Sequence, residues 1–560
     1  MERWKDGKIG RGVKCLAMRN RSFTFTLQQA VELFRLMAMN KTLLTVSVTS
    51  LSSLGKIAEA VEAGVGLIEI RLDHLARSDV ATLVRGSPRP MIWTLRHTSE
   101  GGQFDGSIDE QIDRLIEALD AGGEFVDLEF QRWKAAKEAG QRLIDKIAAL
   151  RAAGREVRLI LSWHDFQGTP DDLEQRVGQM AEEPYADIVK FACGARTIFD
   201  NFRVFDILHN AVKPTIGIAM GATGSVSRVL AGKFGGFLTF AAMDEIHSSA
   251  PGQLTVEQMK AEYGLERINR ATKLAGIVGH PVGHSLSPII HNRAYQAMGL
   301  DGVYVKFDVP ERYEDFCRFI DEVRRREWFD LMGLSVTIPH KTHALRYLKS
   351  LGAKIDPLAV KIGAVNTIVF GTGGELWGYN TDYLGVLETL RQQADLPAEK
   401  LVGKRTAVFG SGGVARAIVA AMMSVGAEVT VFNRTESKAA ALAEEFGCRW
   451  ASWNDREQFD AQIMINGTSL GMWPEVESCP LRRAEAICPE CVVFDTVYNP
   501  LETKLLRLAR SRGAVAIHGA DMLVYQAVEQ IKLWKPQQGD KEISIPADIM
   551  RTVVLSKLSN

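Results

Sequence analysis

From Leu43 onward the chain alternates short apolar, β-rich runs with stretches in which apolar residues recur every three or four positions. The runs are Leu43–Val48, Leu67–Leu72, Met91–Arg96, Phe125–Leu128, Leu159–Trp163, Ile188–Phe191, Thr215–Ala219 and Phe237–Phe240. Near-continuous apolar runs predict strands buried on both faces, and their alternation with helical periodicity predicts parallel pairing. Eight such units in roughly 200 residues fit a closed (β/α)8 barrel with its chemistry at the C-terminal strand ends. An open doubly wound sheet is the other arrangement the pattern allows. Val256–Leu265 then reads as a polar helix and Glu266–Lys273 as a charged junction. Strands and helices mix from 274 to about 390. After them the run Arg405–Phe409 leads into Gly410-Ser411-Gly412-Gly413 and a helix, the pattern of a nucleotide-binding turn.

Composition narrows the classes. At 560 residues the chain exceeds what one hydrophobic core holds, so several domains are expected. With 67 basic and 68 acidic residues and 46% hydrophobic content it lacks the charge excess suited to nucleic acid or a membrane surface. Small-molecule partners are expected, and the oligomeric state stays open. No window approaches 18 uninterrupted apolar residues, and the start lacks a secretory pattern. Residues 1–40 are basic and hold Met1, Met18, Met37 and Met39, which reads as a start-site extension. A transit peptide is the rival reading, against which stand sparse serine and the early Glu2 and Asp6. Seven scattered cysteines do not form a disulfide framework, so a reducing compartment is expected, the cytoplasm or alternatively a plastid. Cys488 and Cys491 have metal-ligand spacing but no companion pair, and no metal is assigned.

The first half places charges in otherwise apolar strands: Glu69 and Arg71 in the second, Arg96 at the end of the third, Lys190 within the sixth. Any one alone reads as a structural ion pair. Together they read as a site. In the run Ile188-Val189-Lys190-Phe191, desolvation should favour the neutral amine, a nucleophile able to form a Schiff base with a ketone. His164 closes the preceding strand, next to Lys190, where a histidine titrating near neutrality could take an acidified proton and return it to a leaving hydroxyl.

Ile68-Glu69-Ile70-Arg71, Leu95-Arg96 with Glu100-Gly101-Gly102, Ser162-Trp163-His164-Asp165-Phe166, Ala186-Asp187-Ile188-Val189-Lys190, Met220-Gly221 with Ser227-Arg228, and Ser249-Ala250-Pro251-Gly252-Gln253 follow one another in order. In these segments the chain resembles the type I 3-dehydroquinate dehydratases over roughly 41–253. The resemblance implies Lys190 as the Schiff-base nucleophile, His164 as general acid and base oriented by Glu100, and Arg228, Ser249 and Gln253 as substrate-holding groups. A guanidinium at Arg228 suits a carboxylate, while Glu69 and Arg96 suit ring hydroxyls, and Arg71 is a further substrate contact. It implies no cofactor there.

In the second half, Ser285 and Ser287 stand two apart, so both hydroxyls can face one side of an extended chain and meet a carboxylate; helix capping explains them equally well. Ser335-Val336-Thr337-Ile338-Pro339-His340-Lys341, Gly363-Ala364-Val365-Asn366-Thr367 and Gly378-Tyr379-Asn380-Thr381-Asp382 are polar, turn-rich segments. The turn Gly410-Ser411-Gly412-Gly413-Val414-Ala415 follows a strand and opens a helix, where backbone N–H groups can meet a pyrophosphate. The next strand, Val429–Phe432, ends in Asn433-Arg434-Thr435 instead of an acid, which favours NADP over NAD, with Lys438 offsetting Glu436.

With Asn466-Gly467-Thr468-Ser469, Asp495-Thr496-Val497-Tyr498-Asn499-Pro500 and Gly519-Ala520-Asp521-Met522-Leu523-Val524-Tyr525-Gln526, these segments resemble shikimate dehydrogenase over roughly 274–535. The resemblance implies Lys341 and Asp382 as the proton-handling pair. Ser285, Ser287, Thr337, Asn366, Tyr498 and Gln526 are then substrate contacts, and Gly410 to Ala415, Asn433, Arg434, Thr435, Lys438 and Thr468 hold NADP(H). Ser335 departs from the asparagine of many relatives. The layout that follows is an extension (1–40), a dehydratase barrel (41–266), a substrate domain (274–390, with 520–560 packing back on it) and a Rossmann domain (400–518). Three other readings stay open: a Schiff-base aldolase for the first half, a quinate dehydrogenase for the second, and a metabolite-binding regulator without catalysis.

Overall fold

The computed structural model describes residues 41–50, 54–80, 83, 87–244, 252–534 and 544–559, so residues 1–40 and Ser249 lie outside the described residues. Eight strands form the first sheet: β1 (Leu43–Val48), β2 (Leu67–Arg71), β3 (Met91–Thr94), β4 (Phe125–Glu129), β5 (Arg158–Asp165), β6 (Ile188–Gly194), β7 (Thr215–Met220) and β8 (Leu238–Ala241). Each pairs in parallel with its sequence neighbour from β1 to β7, and β1 also pairs with β8. The ring closes where the Phe237 N–H donates to the Thr215 carbonyl at 2.8 Å. The first half is therefore a barrel, and the open sheet is set aside.

Period-two alternation sorts the side chains of this barrel. Inward residues near the strand starts are Leu43, Leu67, Ile92, Phe125, Ile160, Ile188, Ile216 and Leu238, which together form an apolar plug. Two residues further along, the inward positions include Glu69, Asp127, Ser162 and Lys190, all buried. The alternate residues, such as Ile68, Val126, Leu161 and Val189, face outward into the core beneath the helices. Polarity thus rises along each strand toward its C-terminal end.

The polar helix expected at Val256–Leu265 is shorter than its pattern. It runs from Val256 to Ala261, and the left-handed Gly264 (φ 62°) then starts a separate short turn, Leu265–Arg267. Beyond the junction, β9 (Lys273–Gly279), β10 (Gly302–Asp308), β11 (Leu331–Val336), β12 (Lys354–Ile355), β13 (Thr367–Phe370) and β14 (Leu376–Tyr379) build a mixed sheet in the order β10-β9-β11-β13-β14-β12. A third sheet is parallel: β15 (Arg405–Phe409), β16 (Glu428–Phe432), β17 (Arg449–Ala451), β18 (Ile463–Asn466), β19 (Val492–Asp495) and β20 (Val515–His518), in the order β17-β16-β15-β18-β19-β20. The order reverses between β15 and β18, which opens a crevice at their C-terminal ends. Helix Gly519–Trp534 leaves the third sheet and packs on β11 and β13, and helix Ala547–Ser559 lies against it.

The barrel and the mixed sheet share one apolar core. Phe202 and Phe205 of helix Ile198–His209 and the nearby Phe234 meet Phe319 and Phe329 of the second unit, with Phe202–Phe329 centroids 5.6 Å apart and Phe234–Phe329 5.0 Å apart. Arg326 grips Asp206 through Nε and Nη2 at 2.6 and 2.5 Å, and Lys233 donates to Asp330 at 2.7 Å.

Candidate active sites

The barrel mouth holds the first site. Glu69, Arg71, Arg96, Arg228 and Gln253 line one cavity with Lys190, His164 and Glu100. Register explains the pairing of the two central groups, since Ser162 of β5 lies opposite Lys190 of β6 and His164 lies one inward step further. Lys190 Nζ donates to Asp127 Oδ2 at 2.9 Å and to Glu69 Oε1 at 3.1 Å. This changes the reading of an isolated, desolvated amine, because two carboxylates accompany the lysine. Glu69 also accepts from Ser47 (2.6 Å) and Thr94 (3.0 Å), and Arg96 donates to Asp127 and Ser162, both at 2.7 Å. Burial opposes ionisation of Asp127, but Arg96 and Lys190 outweigh it and hold the carboxyl well below its usual range.

His164 Nδ1 lies 2.9 Å from Glu100 Oε2, which also accepts the His164 backbone N–H at 3.0 Å. Burial pushes the imidazole well below its ordinary value, with Arg96 and Lys190 adding to the effect. Burial thus disfavours the protonated ring, an effect that the residue's place at a strand end does not reveal. Burial raises the Glu100 carboxyl to about 8 against the pull of Arg96. Gly101 has φ 78°, and a Cβ there would stand 2.5 Å from the Phe166 ring, so only glycine lets Phe166 cover this edge of the mouth. Arg228 is 1% exposed, and its Nε has no hydrogen-bond partner among the described residues. Burial alone depresses it to about 10. A buried guanidinium that faces a cavity and whose Nε has no partner among the described residues is arranged for an anion.

The second site lies between the mixed and parallel sheets. Ser285, Ser287, Thr337, Asn366, Tyr498 and Gln526 line a cavity of about 220 Å³ together with Lys341 and Asp382. Lys341 opens helix Lys341–Ser350, and Asp382 lies in the first turn of helix Thr381–Ala394. Lys341 Nζ donates to Asp382 Oδ2 at 2.6 Å, and Asn366 Nδ2 fixes the other oxygen at 2.8 Å. Ser335 compensates for its departure from asparagine: it accepts from the Tyr304 hydroxyl and donates to Gln530 Oε1, both at 2.7 Å. Val414 reaches the same cavity from the glycine turn.

That turn follows β15. Gly410 has φ 111°, and a Cβ there would press on Gly467 and Thr468 at 3.0 Å. At Gly412 and Gly413 a Cβ would meet nothing within 4 Å, which leaves open space before the start of helix Gly413–Ser424. Ser411 precedes this opening, while Ala415, in the first turn of the helix, is buried against Gly467. At the end of β16, Asn433 Nδ2 donates to the Thr435 carbonyl at 2.8 Å. The exposed Arg434 and Lys438 side chains form no ion pair among the described residues. An open glycine cradle with free cations beside it fits a phosphorylated dinucleotide. Thr468 donates to Asn466 Oδ1 at 2.6 Å and borders the turn.

Asp127, Ser162, Ser47, Phe240, Tyr304 and Gln530 were not singled out from the sequence. For Asp127 the signal was present, a charge inside the apolar run Phe125–Leu128. No helix among the described residues is long and apolar enough to cross a membrane, and no group of three or more His, Cys, Asp or Glu is placed there to hold a metal.

A barrel with a lysine at its mouth, joined to a two-sheet unit with a glycine-turn crevice, defines a two-site enzyme: a lyase followed by an oxidoreductase. The type I 3-dehydroquinase model matches residues 43–270, the shikimate dehydrogenase substrate binding domain 277–368, and shikimate / quinate 5-dehydrogenase 392–464. The chain is 37% identical over 505 residues, 87% of its length and 80% of the relative's, to the chloroplastic bifunctional 3-dehydroquinate dehydratase/shikimate dehydrogenase of Arabidopsis thaliana. It is 42% identical over 293 residues, half of its length and 98% of the relative's, to the shikimate dehydrogenase (NADP(+)) of Methanosarcina barkeri. It also matches the pentafunctional AROM polypeptide of Komagataella phaffii at 31% identity, over 87% of this chain and 31% of that one. The chain belongs to the family of bifunctional 3-dehydroquinate dehydratase/shikimate dehydrogenases.

Proposed function

We propose that the chain performs two consecutive reactions: dehydration of 3-dehydroquinate to 3-dehydroshikimate at the barrel mouth, then NADPH-dependent reduction of 3-dehydroshikimate to shikimate at the second cavity. The observation that carries the reading is the joint placement in one cavity of Lys190, the His164–Glu100 pair and the unmatched Arg228. These supply a nucleophile, a proton carrier and a carboxylate seat. Residues 41–266 are assigned to the dehydratase, 274–390 with 520–560 to shikimate binding and 400–518 to NADP.

Arg228, with Ser249 and Gln253, holds the substrate carboxylate. The ring hydroxyls reach the rim carried by Arg71, Glu69 and Arg96. Lys190 Nζ condenses with the ring ketone and releases water. Neutral His164, oriented by Glu100, takes the proton from the neighbouring carbon and returns it to the hydroxyl that leaves.

In the second cavity Ser285 and Ser287 bind the carboxylate, and Thr337, Asn366, Tyr498 and Gln526 position the ring. Lys341 delivers a proton to the carbonyl oxygen and recovers one through Asp382. Gly410, Ser411, Gly412, Gly413, Val414 and Ala415, with Thr468 at the border, would hold the pyrophosphate of NADPH, and Asn433, Arg434, Thr435 and Lys438 its 2′-phosphate; bound there, the cofactor would supply the hydride. The compartment is reducing, cytoplasm or plastid.

The purified chain given 3-dehydroquinate and NADPH should oxidise NADPH and release shikimate. Lys190→Met should stop the reaction from 3-dehydroquinate and leave that from 3-dehydroshikimate intact. Failure to form shikimate would sink the two-step reading. Quinate preferred over shikimate in kcat/KM would reassign the second site.

A further inference from the structure

The charged ring around Lys190 is a single layer of the barrel interior. A barrel of this kind stacks side chains in layers of four contributed by alternate strands, and bulky apolar residues ordinarily fill them. Here β2, β4, β6 and β8 contribute Glu69, Asp127, Lys190 and Phe240, each at most 5% exposed. All three neighbours are suited to a cation. Asp127 Oδ2 and Glu69 Oε1 accept from Nζ at 2.9 and 3.1 Å, and the Phe240 ring lies beneath it at 4.9 Å from its centroid. The layer between, from odd strands, serves the same end: Ser47 of β1 and Thr94 of β3 fix Glu69, and Ser162 of β5 donates to Asp127 Oδ1 at 2.6 Å.

The two oxygens of Asp127 have separate duties. Oδ1 receives Arg96 and Ser162, which lock the carboxylate in place, while Oδ2 receives the lysine. A structural ion pair would need Arg96 alone, and an apolar layer like the plug below would hold the strands together without any buried charge. The arrangement is therefore specific to the nitrogen of Lys190.

We propose that Asp127 and Phe240, together with Glu69, form a cation cage that positions Lys190 and stabilises its iminium with the substrate ketone. The proposal rests on the imine reading above. Condensation of an ammonium with a ketone gives an iminium and water, so the nitrogen carries one positive charge before and after, and the same cage serves both states. Loss of the neighbouring proton to His164 makes a neutral enamine. Expulsion of the hydroxyl, which leaves as water with that proton, restores the cation and returns it to the cage. Asp127 and Phe240 are positioning residues: they act through Lys190.

The test is borohydride trapping at saturating 3-dehydroquinate, read as the rate at which Lys190 is converted to the secondary amine. Asp127→Asn should lower it roughly tenfold to hundredfold, the range for removing one charged hydrogen-bond partner, and Asp127→Glu should recover most of that loss. Phe240→Leu keeps the apolar volume and should lower trapping about threefold to thirtyfold. Reduction of 3-dehydroshikimate by the same chains should stay within about twofold, an internal check that the fold persists. If Asp127→Asn does not fold, Phe240→Leu decides. No adduct on Lys190 in the unaltered enzyme would refute the imine reading itself. Adduct formation at the unaltered rate in both Asp127→Asn and Phe240→Leu would refute the cage alone. So would an Asp127→Glu no faster than Asp127→Asn in a protein with unchanged melting.

Discussion

Replacing Arg228 with methionine should make the unliganded protein more stable while it disables the dehydratase. The guanidinium is 1% exposed, and burial depresses it from its ordinary value to about 10. That displacement corresponds to about 3 kcal/mol by which the charged form is less favourable inside the protein than in water. Methionine fills much of the same space without the charge, so most of this amount should return. With about 2.1 cal/mol/K of unfolding entropy per residue, a chain of this size melting as one unit should gain roughly 2–3 °C. The cost appears on substrate binding: a carboxylate held through two charge-assisted hydrogen bonds, each about 1.5–3 kcal/mol, implies a loss of on the order of 10² to 10⁴ in dehydratase kcat/KM. The folded value lies below the unfolded one, so the unfolded chain binds this proton more tightly. Stability is reduced at every pH below about 10 and recovers as the pH climbs above that toward the ordinary guanidinium value, a rise the variant lacks. Scanning calorimetry without ligand and initial rates with 3-dehydroquinate measure both sides. A variant that melts below the parent, or keeps kcat/KM within about threefold, would refute the claim that Arg228 is an uncompensated charge awaiting its anion.

The proton-handling groups and the cofactor contact give three more outcomes. Because burial holds Glu100 up to about 8, its anion, and with it a more basic His164, forms only as the pH approaches that value; dehydratase kcat/KM should rise and level off near pH 8, and Glu100→Gln should lose that limb. A pH–rate profile unchanged by the substitution would remove Glu100 from the proton path. Lys341→Met should cut the dehydrogenase kcat by on the order of 10² to 10⁴ and leave dehydratase rates untouched, with both measured on one preparation. Arg434→Ala should raise KM for NADP about tenfold to a hundredfold and move KM for NAD little; equal changes for both would place the 2′-phosphate elsewhere.

The barrel was legible because each strand is an almost unbroken apolar run, and because charges inside such runs are rare enough to mark a site. The same logic reached Glu69, Arg96 and Lys190 but passed over Asp127, whose run Phe125–Leu128 carries an identical signal. What the sequence could not convey is which charges face each other. Lys190 read as a lone desolvated amine, although β2 and β4 deliver a carboxylate each to its nitrogen. The helix Val256–Leu265 is shorter than its pattern because it stops at Ala261 and the left-handed Gly264 turns the chain before Leu265, although the periodicity continues. Tyr304 and Gln530, which orient Ser335, lie 31 and 195 residues from it, beyond any local pattern. Nothing local shows that Phe202 and Phe205 of helix Ile198–His209 meet Phe319 and Phe329 of another unit.

The aromatic seam has a consequence for inheritance as well as folding. A barrel cut free at the junction would present Phe202, Phe205 and Phe234 to water, a patch of the kind that drives aggregation. A free-standing barrel half would need polar residues at those positions to stay in solution. Fusion here has become hard to reverse: the two active sites are tied by a shared interior as much as by a continuous chain.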